Sequence, residues 1–436
     1  MARKMRDSGV EWIGEVPEGW KITPLKKCFE KTFSGIWGTD AGVGEETVTC
    51  YRIADFNYAE GIVSTNKLTK RSYKCEELED KLVRKGDLLL EKSGGGDLNP
   101  VGRAVLVNHD DKATCSNFIQ ALRCNAECDE RFVCYMLQTS YSRGVNGLYY
   151  NQTIGIQNLQ VEKYLSIRLP MPHLPEQRRI ADYLDEKCAA IDGAIGELKR
   201  GMEDCKAWKK AIIEEAVLSG LRHKEFVETG DDWLTSIPSS WGFEQIRYLF
   251  ALRDERNDKP LSEVNLISLY TDQGVVQHCD LEKTTGNKAS TADGYKIVKE
   301  NDIVVNIILC WMGAIGRSAY NGVTSPAYDV YRPVDESWVL SRYYHYLFRT
   351  SRFNGKCYQE GRGIMMMRWR TYSSEFRAIK VPVPPMKEQQ AIADYLDEKC
   401  AAIDALVAEK EKLIADLEAY KKSLIFELVT GKREVA

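Results

Sequence analysis

The sequence predicts an α+β chain of two globular parts, each followed by a long helix, with the two helices pairing within the chain as a coiled coil. Three observations lead to this: a long identical repeat, a second signature that opens each half, and two proline-free runs with apolar residues at heptad spacing.

Residues 180–192 and 392–404 both read IADYLDEKCAAID, thirteen identical residues at an offset of 212. Around them Pro170, Pro172, Glu176 and Gln177 correspond to Pro382, Pro384, Glu388 and Gln389. Trp208 and Ile212 likewise correspond to Tyr420 and Leu424, and the copies close on Gly220 and Gly431. The opening signature is Gly9, Trp12, Pro17 and Trp20, answered by Gly230, Trp233, Pro238 and Trp241 at an offset of 221. Weaker echoes join KGDLLL at 85–90 to ENDIVV at 300–305, and VGRA at 101–104 to IGRS at 315–318. The chain is thus a tandem duplication, divided into a globular part at 1–172, a helix at 173–221, a second globular part at 222–384 and a second helix at 385–436.

In the globular parts, short apolar or β-branched runs at 45–53, 88–90 and 303–309 alternate with Gly and Asn turns, and helical patches at 130–139 and 341–350 interrupt them. Each long helix follows a Pro-rich lead-in, LPMPHLPEQ or VPVPPMKEQ, and then runs without proline for more than forty residues. The first carries Leu184, Cys188, Ile191, Ile195, Leu198, Met202, Cys205, Ile212 and Ala216, broken by Lys209. The second carries Leu396, Cys400, Ile403, Leu406, Leu413, Leu417, Tyr420 and Leu424, broken by Lys410. Steps of three and four make these heptad stripes, and each stripe alone would expose apolar surface that water penalises. At ~1.5 Å per residue, forty residues make a rod of roughly 60 Å, long enough to act as a spacer.

Composition excludes several classes. With 44% hydrophobic and 28% charged residues the chain can bury ordinary cores, and the net charge of −4 is mild. No apolar run is long enough to span a membrane, and MARKMRDSGVEW lacks the apolar region of a secretory signal, so cytoplasm is the expected compartment. Thirteen scattered cysteines without paired CxxC motifs imply neither a disulfide framework nor zinc; the nearest group, Cys124, Cys128 and Cys134, has no His nearby. No phosphate cradle, HExxH or GxSxG occurs, and the one Pro-Pro, at Pro384 and Pro385, is followed by Met386 rather than an aromatic. The Gly94–Gly96 run is read as a flexible turn. Asp87, Glu91 and Lys92 imitate a metal-dependent nuclease poorly, since Asn306 stands at the place of Glu91 in the second copy.

Two variable parts alternating with two near-identical helices, each part opened by P-x-x-W and each helix by LPMPHLPEQRRI or VPVPPMKEQQAI, resemble the specificity subunit of type I restriction–modification enzymes over essentially the whole chain. SPAYDVYRP at 325–333 matches a segment common in that family, whereas CSNFIQALRC at 115–124 departs from it. The resemblance implies two target recognition domains, an antiparallel coiled coil relating the halves by a pseudo-two-fold, and no catalytic residues in this chain. It also implies double-stranded DNA and two methyltransferase subunits as partners, with or without a restriction subunit. S-adenosylmethionine, ATP and magnesium would belong to those partners, leaving this chain with no cofactor, metal or membrane contact of its own. The competing reading is a coiled-coil scaffold with two protein-binding domains.

Local charge favours DNA more than the total does. Residues 342–380 hold nine basic side chains against two acidic ones, among them Arg349, Arg352, Lys356, Arg362, Arg368 and Arg370, while Lys67, Lys70, Arg71 and Lys74 cluster without an acid. Amides and aromatics accompany them: Tyr149, Tyr150, Asn151 and Gln152 in a loop-like YYNQ, and Tyr358 and Gln359 in the second part. Asn and Gln can read adenine and Arg guanine, while Lys grips phosphate. The spacer positions of this reading are Ile191, Ile195, Leu198, Met202 and Ile212 on one helix, and Ile403, Leu406, Leu413, Leu417 and Leu424 on the other.

Overall fold

The structure, a computed structural model, describes residues 3–153, 155–222, 225–278, 291–363 and 369–435. Its contacts divide the chain into two units, Met1–Arg200 with Lys410–Ala436, and Gly201–Glu409. Each unit therefore contains one globular part, a portion of the first long helix (Leu174–Ser219) and a portion of the second (Met386–Val429).

In the first unit the main sheet has six strands in the order Phe29–Ser34, Ile119–Cys124, Leu88–Glu91, Ala104–Leu106, Ile62–Val63 and Phe56–Asn57. Leu88–Glu91 is buried on both faces, which explains its unbroken apolar run. Leu88 and Leu90 enter the core that contains Trp20, Leu169 and Leu184, while Leu89 enters a second core with Tyr51, Val105 and Ala121. The second unit repeats this in four strands, Phe250–Leu252, Tyr328–Pro333, Ile303–Asn306 and Ile315–Arg317. Ile303 and Val305 face the core of Trp233, Trp241 and Leu396, and Val304 faces the smaller core of Ile267, Val298 and Val330. The run expected at 303–309 stops at Asn306, because the chain there turns into the short helix Cys310–Met312.

The repeated signatures prove to be clamps. The indole N–H of Trp20 donates to Glu176 at 3.2 Å, and that of Trp241 to Glu388 at 3.0 Å. Gln177 donates to the Pro172 and Glu127 carbonyls and accepts from the Asp129 N–H. Gln389 does the same with Pro384, Trp338 and Leu340. On the next turn Arg131 and Tyr135 bind Asp182 and Asp185, while Arg342 and Tyr346 bind Asp394 and Asp397. The P-x-x-W and EQ motifs thus fix each globular part on the start of its own helix through hydrogen bonds to buried or half-buried groups. The helices end at left-handed glycines, Gly220 (φ +80°) and Gly431 (φ +72°). A Cβ at Gly431 would fall 2.5 Å from Pro17, so the opening signature also closes on that helix end.

The helices run antiparallel within each unit. In the first, Leu184, Cys188, Ile191 and Ile195 from the start of one helix pack with Leu417, Leu424 and Leu428 from the end of the other. In the second, Ala216 and Val217 share a core with Ile392 and Leu396. The seam differs from the predicted stripe on the second helix. Leu406, Leu413 and Tyr420 are 41%, 46% and 50% exposed, and the buried or half-buried positions are Ile403, Val407, Lys410, Ile414, Leu417, Lys421 and Leu424. That series keeps strict steps of four and three, with the two lysines on the seam and not interrupting it. On the first helix Ile191, Ile195 and Met202 are buried and Leu198 and Ile212 half-buried, as a stripe through Lys209 requires.

Candidate nucleic-acid interface

The basic cluster of the first part lies on and around the strand Thr69–Tyr73, which pairs with Glu46–Tyr51 and Thr39–Asp40. Lys67, Lys70 and Lys74 are exposed. Lys67 and Lys70 make no ion pair among the described residues, and Lys74 helps to hold the Glu45 carboxyl below its ordinary range, after the hydrogen bonds from Cys75. These three present their ammonium groups to solvent. Arg71 cannot serve as a free base reader: its guanidinium donates to the Trp37 and Gly38 carbonyls at 3.2 Å each and pairs with Asp40. Its flat face lies 4.7 Å over the Trp37 ring. It is a strut that backs Trp37, which stays 41% exposed.

YYNQ is a strand edge and not a loop. Tyr150–Thr153 pairs with Ile156–Leu159, which in turn pairs with Ser93–Gly94. Tyr149 packs edge-on against the buried Tyr164, and Tyr150 borders the core, so both tyrosines are structural. Asn151 and Gln152 face solvent, though each already has a partner: Gln160 donates to Asn151 at 2.8 Å, and Gln152 donates to Asp97 at 3.4 Å.

In the second part the density of positive charge is partly neutralised. Arg349 is a correction to the sequence reading: its guanidinium, two residues past the helix Ser341–Leu347, donates to the Gly313, Ile315, Thr271 and Asp272 carbonyls, tying that segment to the start of the strand Ile315–Arg317 and to a turn at 271–272, and burial holds its pKa below the usual value. Lys356 pairs with Glu360 at 2.8 Å and lies 3.9 Å from Asp231; Arg352 pairs with Glu214 at 3.3 Å but stays exposed. Arg362 and Arg370 bridge through their backbones, and the Arg362 guanidinium is exposed beside Glu375 (2.9 Å) and over the Tyr372 ring. Tyr358 stacks on Trp369 at 5.0 Å and packs against Trp311 at 5.5 Å, with Gln359 exposed next to it. Arg368 lies outside the described residues. The aromatic surface here includes Trp311, Trp369 and Tyr372, which basic-residue counting passed over.

The nuclease-like triplet is spent on structure. Asp87 accepts from the Arg84 N–H and two nitrogens of Arg123, Glu91 accepts from Arg103 at 3.0 Å, and Lys92 donates to Ser34. Burial pushes the Glu91 carboxyl up, and Arg103 opposes that shift. In the second copy Asp302 is held the same way, by the Lys299 N–H and by Arg253 from a different strand position. Among the described residues no group of three or more His, Cys, Asp or Glu side chains is placed to hold a metal ion, and no helix is long and apolar enough to cross a membrane.

Comparison with known proteins adds the following. The family described as "Type I restriction modification DNA specificity domain" matches residues 53–195 and 240–416. The putative type I restriction enzyme MjaX specificity subunit of Methanocaldococcus jannaschii is 23% identical, covering 97% of this chain and 96% of that protein. The EcoKI specificity subunit of Escherichia coli K12 is 18% identical over 96% and 90%. Among solved structures, a chain from work on complex assembly and conformational transition of the type I R-M system superposes with a TM-score of 0.70 at 14% identity, covering 96% of this chain and 99% of that one. The HsdS subunit from Thermoanaerobacter tengcongensis gives 0.54 at 14% identity, covering 96% and 98%.

Proposed function

The chain belongs to the type I restriction–modification DNA specificity family, and from that premise we propose that it reads a two-part, asymmetric double-stranded DNA target and recruits two methyltransferase subunits to it, without catalysis of its own. The observation that carries this is one scaffold used twice with different outward residues. Identical Trp–Glu, Gln–carbonyl and Arg–Asp clamps hold both globular parts, while Lys67, Lys70, Asn151 and Gln152 in one give way to Arg352, Gln359 and Arg362 in the other. Shared clamps with unshared surfaces suit two readers of different half-sites better than one repeated reader.

The repeat also offers the same outward helix position twice, Trp208 at 55% and Tyr420 at 50% exposure, which supports docking of two equivalent partner subunits. On this reading S-adenosylmethionine, ATP and magnesium act in the methyltransferase and restriction partners, and the complex works in the cytoplasm. The test is single-molecule methylation mapping of DNA from cells that express the chain with its neighbouring methyltransferase, against cells lacking the chain. A methylated two-part motif with a fixed unspecified gap, present only with the chain, is the expected result. A methylation pattern indifferent to the chain would instead favour a protein-binding scaffold.

A further inference from the structure

Resting on that half-site reading, we propose that Trp37, Asn117 and Phe118 form the base-reading surface of the first globular part, with Asn117 specifying an A·T pair and the two aromatic rings packing against the thymine methyl or its neighbour. These side chains line an open pocket of ≈ 480 Å³ together with Arg52, Ile53, Ala54 and Ser116.

The backbone builds this surface deliberately close. Gly35 runs against the following segment so tightly that a Cβ there would lie 2.2 Å from the Cys115 carbonyl oxygen and 2.3 Å from that of Ser116. Gly35 N–H donates to Ile119 and Ile36 N–H to Cys115, which sets Trp37 beside the turn closed by the Ile119 N–H to the Ser116 carbonyl at 3.0 Å. Asn117 and Phe118 are the two tip residues of that turn. Phe118 is 45% exposed, and the Asn117 amide is exposed and makes no hydrogen bond to any described residue, so both of its polar atoms are available. An exposed Asn amide offers an NH2 donor for adenine N7 and an oxygen acceptor for adenine N6–H in the major groove, and an apolar ring complements the thymine methyl.

The flanking charge fits DNA. Asp40 is occupied by Arg71 and Asp55 by Arg52 at 3.0 Å, while Lys67 and Lys70, close in sequence to the Arg71 that lies over Trp37, are exposed and make no ion pair among the described residues. The second globular part makes the corresponding turn, closed by the Tyr328 N–H to the Ser325 carbonyl at 3.0 Å, but its tip residues are Pro326 and Ala327. The same closing hydrogen bond thus carries Asn-Phe in the first copy, where the chain departs from the segment common in the family, and Pro-Ala in the second, where it keeps that segment.

The experiment uses the full chain assembled with its methyltransferase, and reads the methylated motif and its rate for every single-base variant of the site. Asn117→Ala is expected to relax discrimination at one A·T position by roughly 5- to 150-fold, the equivalent of one bidentate contact. Phe118→Ala should relax the same or the adjacent position in the same half-site, with the other half-site and the thermal transition unchanged. Lys67→Ala with Lys70→Ala should instead weaken binding at all sequences alike and flatten its salt dependence. If wild type directs a two-part motif and Asn117→Ala keeps every position specified, or relaxes both halves equally, the pocket assignment is wrong while the specificity reading stands. If wild type directs no motif, the specificity reading itself fails.

Discussion

His345 accepts the Arg317 N–H on Nδ1 at 3.1 Å, which fixes a neutral ring carrying its proton on Nε2. Burial, reinforced by the Arg349 and Arg317 guanidinium groups and by Lys209, lowers its pKa from 6.5 to about 3, with Asp397 opposing. Well above pH 6.5 the ring is neutral both folded and unfolded and contributes almost no pH dependence. Between 6.5 and 3 the unfolded chain takes up a proton that the folded chain refuses, so stability falls as pH falls, by at most about 1.4 kcal/mol per pH unit. His345→Asn, whose side-chain oxygen can replace Nδ1 as acceptor, is expected to lose part of this acid sensitivity. Thermal melts from pH 7.5 to 4.5 check this, and parallel wild-type and variant profiles would show that His345 does not set the slope. The same scale explains what the sequence hid. Arg71 and Arg349 read as free guanidinium groups in a basic run, yet each is consumed by backbone carbonyls that only the folded chain brings near.

At the scale of the elements, the coiled coil was legible as a 3–4 periodicity, but its course along the second helix was not, because seam positions 410 and 421 are lysines. Lys421 donates to both oxygens of Asp192 at 2.7 Å, and Lys209 donates to both oxygens of Asp404 at 2.7 and 2.6 Å. Since Lys209 and Asp192 recur as Lys421 and Asp404 at the repeat offset of 212, these are one interaction made twice with the helices exchanged. The stems of such lysines can cover the seam while their ammonium groups reach its edge, and a search for apolar residues then slides sideways onto Leu406 and Leu413. The two registers give opposite expectations. Ile403→Ala, at a site 3% exposed, should destabilise the chain by about 2–5 kcal/mol, and Leu406→Ser or Leu413→Ser by under about 0.5 kcal/mol. Urea denaturation of the isolated chain decides, and comparable losses at all three would restore the predicted stripe. The strands Leu88–Glu91 and Ile303–Asn306 were legible for the complementary reason, since burial of both faces leaves no polar alternation to misread.

For the molecule as a whole, the duplication is what the sequence displays most openly, and it makes the idea of a ruler testable. Both long helices contribute residues to both units, so the chain offers two parallel places, after Arg200 and after Glu409, where length can be added without touching either globular part. Seven residues add ~10 Å of helix and return the seam to within about 20° of its original face. The clamps at Trp20, Gln177, Trp241 and Gln389 are left intact. If the helices set the spacing between half-sites, a heptad inserted at both places should lengthen the unspecified gap by roughly three base pairs, at ~3.4 Å each, and leave both half-sites as they were. Five residues at both places turn the seam by about 140°, which exposes apolar positions and should abolish assembly altogether. Methylation mapping of the heptad variant carries the decision: an unchanged gap with both half-sites retained would mean that the spacing is held by the partner subunits, and that the helices only join the two readers.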